Sequence, residues 1–280
     1  MKLLIFAIVC QAGYTQSTTT PNPSQPEASP IISGLHTLSI HVRDTLTHDS
    51  VYQFLIHQLG LPVYYTPVMY GEKKYAGIYA GNMVLEPCGP YPNIKYATEG
   101  FRSIFFGMNF EVHHSLASSR EALDRLGMMY QDNRNSIYIR DSILCSENVF
   151  AAIYEVRDEE RRDSLRNMLI TNKKYNPGIE YIKEIRMDYK DESNLQRWKE
   201  FLYPLEFVES HTCQVNDSLQ IHFTLGKINQ VKGITFKVES LERATRYFAE
   251  TDLLESDPDQ GILINQKQAF GLLIYLSENR

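Results

Sequence analysis

The chain has 280 residues, 43% hydrophobic and 22% charged, enough apolar side chain to close one large core or two smaller ones. This composition excludes a disordered chain, and a formal net charge of −6 supplies no overall field for nucleic acid or an anionic membrane. Of four cysteines, Cys10 lies in the opening segment and Cys88, Cys145 and Cys213 are far apart, so neither a disulfide framework nor a CxxC zinc spacing emerges.

The opening segment, MKLLIFAIVCQAGYTQS, has the grammar of a secretory leader. Lys2 forms its positive end, residues 3–9 its apolar run, and Ala12 and Gly13 are small residues suited to cleavage. The run is too short to cross a hydrocarbon core of about 30 Å, so no transmembrane segment is expected. We place the leader at residues 1–14 and read the Ser/Thr/Pro-rich residues 15–32 as a flexible tether. Both point to a secreted or periplasmic protein. Val9 is a poor fit to the small residue that precedes a lipid-modified cysteine, which argues against an anchor at Cys10.

Residues 34–42 (GLHTLSIHV) alternate as a strand, and residues 44–49 form a polar turn. Val51, Phe54, Leu55 and Leu59 recur at helical spacing until Gly60, followed by short β-runs at 61–65, 75–79 and 83–87. The order recurs from 101–112, with Ser118 and Glu121 spaced as a capping box, Leu123 and Leu126 on the inner helix face, and strands at 137–139 and 149–156. Residues 158–172 (DEERRDSLRNMLITN) carry Leu165, Met168 and Leu169 on one stripe and predict a helix connecting two halves, 33–157 and 173–280. A third unit runs from a strand at 179–187 through a helix bearing Leu195, Trp198, Phe201 and Leu202 to a strand at 219–225. The fourth opens on VKGITFKVESLERATRYF, with Ser240 as N-cap and Leu241, Ala244, Tyr247 and Phe248 on one face, and closes with strands at 261–265 and 270–276. A βαβββ order repeated about four times predicts an α+β protein of tandem modules.

No GxSxG, Walker loop, HExxH or dinucleotide glycine fingerprint is present, so no nucleotide cofactor is expected. His113 and His114 are adjacent and would point to opposite faces of a strand. His211 and Cys213 alternate on a strand edge, a spacing open to a soft metal. Tyr64, Tyr65, Tyr70, Tyr75 and Tyr79 cluster in the first module. Tyrosine favours strands, which suits core and sheet-edge positions, and Tyr64, Tyr75 and Tyr79 are also candidates to line a pocket for a small-molecule ligand.

HTLSIHVRD, FLIHQLGLPVYY, YAGIYAG and NMVLEPCG together resemble the opening module of vicinal-oxygen-chelate (glyoxalase, bleomycin-resistance and extradiol-dioxygenase) proteins. GITFKVESLERATRYF followed by GILIN and GLLIYL resembles a closing module of that superfamily. The resemblance implies mixed sheets curved into cups around a divalent metal, held by His or Gln on a first strand and Glu on a fourth, in a lyase, isomerase or dioxygenase. It also embraces metal-free binding proteins. It places Glu86 at the fourth-strand carboxylate and Thr37 at the first-strand position, with His36 beside it and able to turn inward through a one-residue bulge. Glu86 and His36 are therefore the candidate metal ligands. The corresponding positions further on are Glu180 and His222 in the third module, and Gly233 with Glu278 in the fourth. An oligomer is compatible with all of this. If the leader is read correctly, the mature protein begins between about Gly13 and Thr18; N-terminal sequencing of protein from its native host would show this, and an intact Met1 would overturn it.

Overall fold

The structure, a computed structural model, describes residues 30–92, 102–146, 148–156, 158–172, 177–257 and 261–278. The leader and the tether up to residue 29 lie outside the described residues. The tether's expected end at residue 32 needs correction. Ile31 and Ile32 are fully buried, and Ile31 donates its N–H to the Tyr203 carbonyl at 3.3 Å while its own carbonyl accepts from Ser119 Oγ at 2.7 Å. Two β-branched apolar residues with a paired backbone gain more from the core than from solvent.

The first sheet is built from β1 (Ile32–Val42), β2 (Val63–Tyr70), β3 (Lys73–Tyr79) and β4 (Val84–Gly89), then β5 (Ser103–Val112), β6 (Tyr130–Asn133), β7 (Ser136–Ile139) and β8 (Phe150–Tyr154). Its spatial order is β2-β3-β4-β1-β5-β8-β7-β6. The second sheet uses β9 (Ile179–Tyr189), β10 (Glu206–Glu209), β11 (Thr212–Asn216) and β12 (Leu219–Leu225), then β13 (Gln230–Val238), β14 (Leu254–Asp257), β15 (Gly261–Ile264) and β16 (Leu273–Ser277). Its order, β10-β11-β12-β9-β13-β16-β15-β14, is the first order repeated. In each sheet the opening strands of two modules pair antiparallel at the centre, and each is flanked by its own module's last strand in parallel. These are the mixed sheets of paired βαβββ modules that the repeated order predicts.

One helix follows each opening strand: α1 (Thr45–Gln53), α2 (Leu116–Arg125), α4 (Glu192–Leu202) and α5 (Leu241–Glu250), while α3 (Glu159–Asn172) lies between the sheets in sequence. Asp44 caps α1 by accepting from the Thr47 N–H at 2.7 Å. The helix continues as a π-turn over Phe54–Gln58 and stops at Gly60, whose φ of +68° places it in the left-handed region. α2 is capped one turn earlier than its Ser118/Glu121 spacing predicts. Ser115 accepts from the Ser118 N–H at 3.2 Å and Ser118 Oγ returns to the Ser115 N–H at 3.2 Å.

Strand alternation divides β1 into two faces. Leu38, Ile40 and Val42 enter the hydrophobic core, while Thr37, Ser39 and His41 turn to the other side. That core joins the halves: Phe110 and Phe201 meet edge to face at 5.2 Å between ring centres. Asn82 adds a two-way amide contact with the Ile182 backbone, donating to its carbonyl at 2.8 Å and accepting from its N–H at 3.1 Å. Arg197 of α4 reaches across to Asp141 at 2.8 Å and donates to the Leu126 and Gly127 carbonyls at the end of α2. Removing the guanidinium strands a largely buried carboxylate and two helix-end carbonyls. Arg197→Leu is therefore expected to cost about 3 kcal/mol, read as a lowered urea midpoint with an unchanged slope.

Candidate functional site

The polar face of the first sheet encloses a cavity of about 920 Å³, walled by side chains from both modules of that half and by Asp158 at the start of α3. Glu86 on β4 lines it and stands opposite Ser39 on β1, which lies buried behind the carboxylate. The Glu86 carboxylate accepts from the Tyr65 hydroxyl at 2.6 Å and from Ser39 Oγ at 3.3 Å. Neither partner is a cation, and burial holds its carboxyl above the usual range in spite of these two hydrogen bonds. Beside it, Asn109 on β5 donates to Ser39 Oγ at 3.4 Å, while its own Oδ1 is buried with no protein partner. The serine hydroxyl thus donates to the acid and accepts from the amide.

His36 reaches the same cavity through a bulge. Leu35 stands opposite Phe110 and Thr37 opposite Asn109, so His36 is an extra residue in the ladder and both His36 and Thr37 line the space. Both its ring nitrogens are occupied, Nδ1 by Thr37 Oγ1 at 2.6 Å and Nε2 by Asp158 Oδ2 at 3.1 Å. Asp158 also accepts from the Tyr64 hydroxyl and pairs with Arg162 Nε at 3.0 Å. Burial alone would raise the Asp158 carboxyl; the Tyr64 hydroxyl, His36 and Arg162 together hold it below the usual range. His36 thus serves to tie α3 to the cup's wall.

Among the predicted pocket tyrosines, Tyr64 and Tyr75 line the cavity. Tyr79 does not. It is fully buried, its hydroxyl donates to the Gly81 carbonyl at 2.6 Å, and its nearest charges are Arg162 and Arg166 of α3. Its place on β3 is right by alternation, but α3 covers that end of the sheet. Tyr138 and Tyr154, which join the wall from the second module, and Asn109 and Asp158 carry no signal in the sequence, because only strand register brings them opposite the first module. Below them His41 lies stacked between Tyr91 at 3.7 Å and Phe106 at 3.8 Å.

These residues do not fit a divalent metal held as the resemblance implies. Among the described residues no three His, Cys, Asp or Glu side chains converge. Glu86 is solvated by hydroxyls, His36 is engaged at both nitrogens, and the thiol of Cys88 is kept protonated by burial.

In the second half the polar face holds a smaller cavity of about 310 Å³ with Glu184, Arg186 and His222 in its wall. Arg186 Nε donates to Glu184 at 2.7 Å and its guanidinium lies 4.0 Å over the Tyr275 ring. Gln220 donates to the other Glu184 oxygen at 3.0 Å, and Thr212 Oγ1 is 3.1 Å from His222 Nδ1. Glu180, the sequence-level candidate, lies instead in a separate surface cavity with Lys183 and Lys237. The Glu278 carboxylate accepts from the Leu241 N–H at 2.9 Å at the head of α5, outside the cup.

Neither family models nor curated protein sequences produce a match. Solved structures do. A homoprotocatechuate 2,3-dioxygenase variant from B. fuscum superposes with a TM-score of 0.54 at 13% identity, over 90% of this chain and 72% of that one. The 2,3-dioxygenase LapB from Pseudomonas sp. KL28 gives 0.54 at 9% identity, over 89% and 93%. A mutant 4-hydroxymandelate synthase from Streptomyces coelicolor gives 0.55 at 10%, over 88% and 92%. The chain has the vicinal-oxygen-chelate fold. At these identities the likeness is one of fold, and the cups of this chain must be read from their own residues.

His41 gives the first cup a pH dependence. Burial, with Lys73 nearby, lowers its pKa to about 3, so the folded protein holds it neutral where the unfolded chain, titrating near 6.5, takes up a proton. Its contribution to stability is complete above about pH 6.5 and is lost as pH falls toward 3. In that window it removes about 1.4 kcal/mol per pH unit. Urea unfolding at pH 7.5 and pH 5 should show this loss, and His41→Phe, which keeps the stack, should flatten it.

Proposed function

We propose that this is an exported binding protein whose first cup takes a small oxygen-bearing ligand directly on protein side chains, without a resident metal. The observation that carries the reading is the Glu86 carboxylate, placed inside an aromatic-walled cavity with two hydroxyl donors and, among the described residues, no metal-ligand set around it. A buried carboxylate and an orphan amide oxygen are costly unless donors reach them. Glu86 and Asn109 both bond Ser39 and both line the cavity, where a ligand's donor groups meet the acid. The tyrosine walls supply hydroxyls for its oxygens and apolar ring area for its carbon frame. The leader-like first segment supports export.

A second reading, a metal-dependent dioxygenase or related lyase or isomerase, draws support from the fold shared with solved dioxygenases. It requires a ligand set that the described cup does not assemble, and binding is therefore the preferred reading.

Metal analysis of purified protein, combined with Glu86→Gln, separates the two. Gln keeps the shape and one acceptor oxygen while removing the charge. We expect substoichiometric divalent metal in both proteins, a higher midpoint for the variant near pH 7, and a gain that shrinks as the pH is lowered and wild-type Glu86 becomes protonated. Stoichiometric metal in the wild type that disappears in Glu86→Gln would restore the metal-centred enzyme.

A further inference from the structure

Because the two sheets repeat one register, their cups can be compared position by position. Ser39 on β1 faces Gly107 across the central antiparallel pair and Glu86 across the parallel pair. Arg186 on β9 faces Gly233 and His222 in the same two ways. Arg186 therefore occupies in the second cup the position that Ser39 occupies in the first. There its guanidinium is bonded to Glu184 at 2.7 Å and lies 4.0 Å over Tyr275, so the chain itself supplies a cation between a carboxylate and an aromatic face.

The first cup has the carboxylate and the aromatic faces without the cation. Tyr65, Tyr75, Tyr138 and Tyr154 surround the space beside Glu86, and no Lys or Arg is among the described residues that line it. The nearest stacked cations belong to its margins, Arg161 4.7 Å over Tyr64 and Lys73 3.9 Å over Tyr91. Neither bonds Glu86, whose hydrogen-bond partners among the described residues are Tyr65 and Ser39. The two carboxyls respond accordingly. Each is pushed up by burial, but Arg186 brings Glu184 below the usual range, whereas Glu86 stays above it.

We propose that the first cup is selective for ligands carrying an ammonium group, whose charge stands against Glu86 and the tyrosine faces as the Arg186 guanidinium stands against Glu184 and Tyr275. This rests on the ligand-binding reading above and names the class of ligand. A neutral polyol satisfies the hydrogen bonds of Glu86 but leaves its charge uncompensated in a cavity partly shielded from water. An ammonium compensates the charge and is attracted by the ring faces as well.

Titration calorimetry on the full chain tests this with two probes of matched shape, choline and its uncharged carbon analogue 3,3-dimethylbutan-1-ol. Saturable choline binding at least about tenfold tighter than the analogue is expected. Glu86→Gln should lose about tenfold or more in choline affinity while the analogue is little affected. Ser39→Arg, which sets a guanidinium directly across from Glu86, should fill the site and abolish choline binding. Ser39 is buried, so this variant counts only if its unfolding midpoint is retained, and Glu86→Gln carries the test alone otherwise. Equal affinity for the two probes, or choline affinity unchanged in Glu86→Gln, overturns the proposal. Binding of a neutral catechol or polyol with none of choline also overturns it but leaves the ligand-binding reading standing. A wild type that binds none of these sinks both.

Discussion

The antiparallel pairing of opening strands, β1 with β5 and β9 with β13, is the constraint on which the rest depends. It joins two modules into one sheet and places each module's last strand parallel beside its first. Once that register is set, the period of two decides every face. Leu38 and Ile40 go to the core, and Thr37, Ser39 and His41 go to the other face, where Asn109 stands across from Thr37 and Glu86 across from Ser39. A shift of one residue would exchange a polar cup for an apolar core, and both would fail. The irregularities in β1 are part of this design, since the extra residue at His36 sends two neighbours toward one cavity and bends the strand around it.

The same fold is used twice with different chemistry. In the second cup an arginine neutralises the acid, and the remaining volume is small. In the first, the position of that arginine holds a serine, leaving a larger space, a carboxylate with hydroxyl partners and a wall of tyrosines. The two sheets share one strand order, and the arginine of the second cup and the serine of the first set the two apart in charge.

The wall of the first cup is organised by Asp158, immediately before α3. It gathers His36, Tyr64 and Arg162, and Arg162 continues to Glu111 at 2.8 Å. A residue that superfamily resemblance suggests as a metal ligand is thereby recruited to fasten a helix. The fastening has a second effect. α3 covers the end of β3 where Tyr79 lies, which limits the cavity to the part of the sheet around Tyr64 and Tyr75.

Several features were legible in the sequence because they depend on neighbours in the chain. Helical spacing in Leu195, Trp198, Phe201 and Leu202, alternation in GLHTLSIHV and the stop at Gly60 are local, and their recurrence was enough to predict four modules. The short polar edge strands β6, β10 and β14 were not legible, since they lack an apolar alternation and exist by pairing with an inner strand. Glu86 was found through the residues around it, and its role was not, because a carboxylate becomes unusual only when the groups that could compensate it are known. Those groups come from β1, β2 and β5, and the tyrosines across from it come from β7 and β8, separated by many tens of residues. Composition and periodicity are one-dimensional and determined the modules; register between distant strands is a property of the closed sheet, and it alone decided which charge meets which partner.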